Sequence, residues 1–213
     1  MSIPVVREWI NAFEDKASGQ AAFDTMTALV AGTEPVTAGA GAAAGTGVTA
    51  AETAAGMRKV VITLVDAEVP LVDEAGVVAY GGLKIYDMPE GAINFQGATA
   101  DLALTLDAAG VNADWDGDFG LGTVTATNDA TLATTEQDLL PTTATPQATA
   151  SATTATGQST GTEVGSVFDG TTTAMDVFLN ILVDDADHDV TGTPTNVVVN
   201  GTITLYYANL GDY

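Results

Sequence analysis

From Arg58 to its end the chain is a succession of short apolar or alternating runs, each closed by Gly, Asp, Asn or Pro, and this punctuation restricts the fold more than any other feature. The runs are Val60–Val65, Val69–Val72, Val77–Ile85, Ala92–Gln96, Ala100–Leu106, Gly120–Ala126, Val164–Phe168, Ala174–Val183 and Val197–Tyr207. Between them lie Asp73-Glu-Ala-Gly, Pro89-Glu-Gly, Asn112, Asp169-Gly and Asn200-Gly. Nine runs in 156 residues predict a mainly β protein, a jelly-roll-like antiparallel β-sandwich with a short helical N-terminal arm. Asn200-Gly201 fits two local structures, a hairpin turn or a bulge within one strand.

Ahead of this domain the composition changes twice. Residues 1–31 carry Val6, Trp9, Ile10 and Phe13 at helical spacing, then Phe23, Met26 and Leu29 on a second short apolar face. Two short helices cannot hold themselves together, so these faces are expected to dock on another surface, either this body or a neighbouring subunit. Residues 32–56 are almost all Ala, Gly and Thr, which reads as a linker. The β-sandwich domain is therefore placed at 57–213. Within it, 18 of the 51 residues from Thr123 to Thr173 are threonine, as suits exposed edges and long loops.

Charge narrows the partners. After Lys84 there is no lysine or arginine in 129 residues, against 18 Asp and Glu, and the whole chain carries a formal charge of −23. Such a surface repels polyanions, so no nucleic acid is expected as partner. No apolar run approaches the roughly 20 residues that cross a bilayer, and no membrane partner is expected. The amino terminus, with Arg7 and Glu8 close to the start, lacks the apolar core of an export signal. With no cysteine, disulfides and thiolate metal sites are excluded.

Nothing in the sequence assembles a nucleophile. One histidine, no cysteine and no Gly-x-Ser-x-Gly elbow leave no hydrolase triad, and the aromatic content of 6% offers few sugar platforms, so no enzyme is expected. The best local motif is Asp114, Asp116 and Asp118, alternating carboxylates with a glycine kink that can converge on Ca²⁺. It departs from an EF-hand, with glycine at the fourth position and Thr125 at the twelfth. The plain alternative is a polar loop with Trp115 folded onto the sandwich. Asp184-Asp-Ala-Asp-His188-Asp189 is a second acidic run, more simply a solvated loop than a zinc or manganese site. No other cofactor is expected.

The phrases Val72-Asp-Glu-Ala-Gly-Val-Val-Ala-Tyr-Gly-Gly-Leu-Lys-Ile-Tyr-Asp87 with Pro89-Glu-Gly91, Ala113-Asp-Trp-Asp-Gly-Asp-Phe-Gly-Leu-Gly-Thr-Val-Thr125, and Val183-Asp-Asp-Ala-Asp-His-Asp-Val190 stand out in the β domain. Taken whole, they resemble phrases of small head or decoration proteins of tailed, marine-type bacteriophages. The likeness spans most of Arg58 to Tyr207 and leaves out residues 1–56. It implies a virion protein made in the host cytoplasm, a cement or decoration protein bound to the major capsid protein, as a homotrimer at local three-fold positions. Residues Val6, Trp9, Ile10, Phe13, Phe23, Met26 and Leu29 would then supply the capsid or subunit contact. The competing expectation is a calcium-assisted carbohydrate-binding adhesin, or a fibre or tail module, using Asp114, Asp116 and Asp118.

Overall fold

A computed structural model describes residues 41–53, 57–73, 78–107, 113–127, 129–184 and 195–211. The proposed helices of residues 1–31 and the acidic run around His188 lie outside these. The described chain is mainly β. Its strands are β1 (Ala42–Ala43), β2 (Val48–Thr53), β3 (Arg58–Asp73), β4 (Val78–Asp87), β5 (Gly91–Asp107), β6 (Gly117–Gly122), β7 (Leu140–Thr145), β8 (Ala152–Gln158), β9 (Val167–Gly170), β10 (Asp176–Asp184) and β11 (Thr195–Gly211). The helical content of the described residues is one 3-10 turn, Thr134–Glu136.

Every strand pairing is antiparallel, and eight strands follow one another as β7-β6-β10-β4-β3-β11-β5-β8. The two ends of this path pack together, because Gly157 of β8 lies against Leu140 and Phe119. The result is a nearly closed, barrel-like sheet. One half is β7-β6-β10-β4 and the other β3-β11-β5-β8; they join where the end of β3 pairs with β4 through Val72–Tyr80 and Asp73–Ala79.

Two of the expected breaks turn out to be bulges inside long strands, and of the two readings of Asn200-Gly201 the bulge is the one found. In β3 the buried positions are Val60, Ile62 and Leu64, then Ala67, Val69 and Leu71. The phase changes by one residue at Asp66, which has φ +49°, where Val65 and Asp66 together oppose Asn200. Without that extra residue Asp66, Glu68 and Pro70 would point into the core. In β5 the inward set Ile93 and Phe95 passes to Ala98, Ala100, Leu102, Leu104 and Leu106 through a bulge at Gly97, φ +136°. Asn200-Gly201 likewise sits inside β11 and makes no hairpin; Gly201 holds φ +141° against the backbone of Asp101.

The segment 41–53, read from composition as linker, belongs to the sheet. β2 pairs with β3 from Val48–Leu64 to Thr53–Lys59, and β1 pairs with the end of β4 through Ala42–Asp87 and Ala43–Tyr86. This strap crosses between the two halves where β3 and β4 diverge. Its small side chains suffice because β3 supplies the bulk, leaving Val48 as the strap's apolar residue packed on the core.

The core is one cluster drawn from both halves, including Trp115, Tyr86, Tyr207, Phe95, Phe119, Ile62 and Leu179. Fully burying side chains of this size contributes about 1.5–3 kcal/mol each before entropy is counted.

Candidate functional site

The most organised polar site is the anchor of the strap. Glu52, on the inward side of β2, accepts from four donors on four stretches of chain: Arg58 Nη1, Tyr86 Oη at 2.9 Å, Tyr207 Oη at 3.3 Å and the Gly41 amide at 3.1 Å. Arg58 opens β3, Tyr86 is the penultimate residue of β4 and Tyr207 lies on β11, so one carboxylate ties both halves of the barrel to the strap. Both tyrosines are wholly buried and Arg58 is nearly so.

Burial dominates the electrostatics here. It pushes the Tyr86 hydroxyl far above the ordinary tyrosine range, helped by Tyr207 and Glu52. It pushes Tyr207 up to about 12, with Glu52 adding to the rise and Tyr86 and Arg58 opposing it. For Arg58, burial works against the charge, yet its bond and attraction to Glu52 leave its pKa raised. The arrangement is a buried clamp in which each of these groups has a partner. Sequence reasoning passed over it because Glu52 sits in an Ala/Thr stretch. The available signal was that Glu52 is the sole carboxylate between residues 35 and 65, six residues before the last arginine.

A second polar knot covers one outer face. Asn180, fully buried on β10, accepts from the Ala126 amide at 2.8 Å and donates to the carbonyls of Val124 at 2.9 Å and Glu136 at 2.7 Å. Glu136, also buried, accepts from Thr127 Oγ1 at 2.7 Å and the Ala133 amide at 2.8 Å. Asp138 accepts from the Thr123 amide and hydroxyl, while burial pushes its carboxyl up. Residues 123–127 and 129–139 are thereby fastened over β4 and β10, with Ala126 and Leu132 packed on Val78, Leu182 and Tyr80 in a small separate core. Much of the threonine-rich stretch thus serves this chain's own packing. The outer face of β2-β3-β11-β5-β8 carries no such cover among the described residues.

The three carboxylates singled out from sequence lie in the loop before β6 and on β6 itself. Asp114 is exposed in a turn, Asp116 is half-buried with its carbonyl accepting from the Asp184 amide at 3.2 Å, and Asp118 lies on β6. Burial first, and neighbouring Asp116 second, raise the Asp118 carboxyl. Among the described residues no three His, Asp or Glu side chains gather at a point able to hold a metal ion, these three included. Trp115 is fully buried, its Nε1 donating to the Ser151 carbonyl at 3.0 Å, which pins the loop. Val6, Trp9, Ile10, Phe13, Phe23, Met26 and Leu29 lie outside the described residues.

Surface depressions lined by described residues are mixed in polarity. One of about 400 Å³ is lined by Thr46, Asp66, Glu68, Pro70, Leu83 and Asn196; another, of about 490 Å³, includes Gln137, Asp138, Glu163, Ser166 and Phe168. In the second, Asp138 is already engaged by Thr123, and Glu163 by the amide and hydroxyl of Thr160. No protein-family model and no curated protein matches this chain.

Proposed function

We propose that the chain is a non-enzymatic decoration protein of a tailed-phage capsid, built on a jelly roll and reinforcing the shell through protein contacts. The observation that carries the reading is the strand order. Counting β3, β4, β5, β6, β7, β8, β10 and β11 as one to eight, one half reads one-eight-three-six and the other two-seven-four-five. That order follows from two Greek keys, an architecture used by viral capsid and lectin domains. The phrase-level likeness to head proteins and the scarcity of cations favour the capsid use over a polyanion-binding one.

In this reading the body sits on the major capsid protein, three copies at a local three-fold position, and residues 1–40 supply the additional grip through Val6, Trp9, Ile10, Phe13, Phe23, Met26 and Leu29. A tethered second contact raises avidity through effective concentration. The clamp at Glu52 supports this assignment, because it fixes the point, Gly41, from which those residues depart. The lectin-like alternative, with calcium at Asp114, Asp116 and Asp118, has less support, since those carboxylates are spread over turn and strand.

The test is to add the full chain and a variant lacking residues 1–40 to shells purified without it. Full chain at symmetric positions by cryo-EM, with shells that survive more heating, and poor occupancy by the shortened chain are the expected results. No density on the shells, together with calcium-dependent binding to a glycan array, would replace this reading with the lectin one.

A further inference from the structure

The outer face of the β3-side half, which no described residue covers, holds a patch rich in threonine and poor in charge. Strand register sets its outward residues in rows across five strands. One row is Thr49, Thr63, Thr202, Asp101 and Thr156; the next is Ala51, Val61, Thr204, Thr99 and Gln158; the third is Thr53, Lys59, Tyr206 and Gly97. These rows hold one carboxylate and one cation, so their net charge is zero in a chain of −23. Lys59 is also exceptional. The other two cations among the described residues are paired, Arg58 with Glu52 and Lys84 with Asp87 and Asp176, whereas exposed Lys59 has no ion pair among the described residues.

We infer that this face is an interface with a second copy of the same chain. A body this acidic repels itself almost everywhere, so two copies approach at lowest cost through the patch that carries no net charge. Short threonine, alanine and valine side chains let the opposed sheets come to the ordinary spacing of about 10 Å, and little side-chain entropy is lost on burying them. A two-fold axis lying in the face, midway between Lys59 and Asp101, sets each copy's Lys59 over the other's Asp101, giving two ion pairs per dimer in the isologous manner. Lys59, which has no ion pair among the described residues, thus gains one when the face is covered.

Five strands about 4.8 Å apart and three rows about 7 Å apart give roughly 500 Å² per copy. That is below the ≈800 Å² per partner of a standard stable interface, so the pairing is weak and depends on concentration. It does not rest on the capsid reading, and a three-fold seat would use another side of each copy.

Sedimentation equilibrium of the full chain tests it. The average mass should climb from that of the monomer towards twice that value as concentration rises through about 100 µM, and climb further at ~0.5 M than at ~0.05 M salt, because screening the overall repulsion outweighs screening two pairs. Thr202→Glu, in the middle of the face, and Lys59→Glu at its edge should each weaken association at least tenfold, with circular dichroism unchanged. The exchange Lys59→Glu with Asp101→Lys should restore it. A monomer at every concentration and salt, or an assembly indifferent to both single variants, would overturn the inference even if shell binding proved correct.

Discussion

The Tyr86 hydroxyl lies 2.9 Å from Glu52 Oε2, so the penultimate side chain of β4 is satisfied by a carboxylate from the strap laid beside it. Glu52 also holds the buried guanidinium of Arg58. Removing the carboxylate takes one acceptor from a buried cation and from two buried hydroxyls. Glu52→Ala should therefore cost about 3–5 kcal/mol in denaturant unfolding. Adding Arg58→Met to it should recover part of that loss, because the stranded charge goes with it. A double variant as unstable as the sum of the single ones would show that Glu52 and Arg58 act independently.

Truncation distinguishes the strap from what precedes it. A chain starting at Gly41 retains β1, β2 and Glu52 and should melt within a few degrees of the full chain. A chain starting at Met57 loses all three, exposing one side of β3 and taking Glu52 from Arg58, and should unfold at much lower denaturant. Equal midpoints for the two would mean that the strap contributes nothing to the body.

Asn180 makes three hydrogen bonds from a fully buried position. Asn180→Leu should cost about 2–4 kcal/mol, since the Ala126 amide and the carbonyls of Val124 and Glu136 lose their partner. The effect should be local as well as global. Hydrogen exchange of amides from Thr123 to Asp138 should accelerate more than exchange in β5 and β11.

Alkaline pH tests the clamp in another way. Tyr207 is raised to about 12 and Tyr86 beyond it, both chiefly by burial, against about 10 in an unfolded chain. A group whose folded pKa is raised contributes stability that is present below the unfolded value and lost as pH rises through the folded one. For Tyr207 the window runs from about pH 10 to 12, with a loss of about 2–3 kcal/mol across it. Ultraviolet titration should show two of the five tyrosines ionising only as the fold is lost. Smooth titration of all five near pH 10 in a folded chain would contradict the clamp.

Much of the β domain was legible because alternation survives wherever one face is buried. Val177, Leu179, Ile181 and Val183 announce β10 directly. The boundaries failed where a bulge shifts the phase. At Asp66 and Gly97 one added residue interrupts the alternation, and that looks like the end of a strand although pairing continues through it. β2 was illegible for a different reason. Thr49, Ala50 and Ala51 carry no pattern of their own, and only contact with β3, through pairings that join Thr49 to Thr63 and Ala51 to Val61, makes them strand. The clamp depended on meetings between residues as distant as Glu52 and Tyr207, 155 positions apart, which spacing along a chain does not reveal.

That distance has a consequence for how the molecule is made. β3 draws its main neighbour from β11, which is made long after it, and Arg58 faces Tyr207 across that pairing. Until β11 has been made, Val60, Ile62 and Leu64 have no permanent cover on that side. Closure of the barrel must therefore wait for β11, and the nascent strands stay open to chaperones or to one another until then.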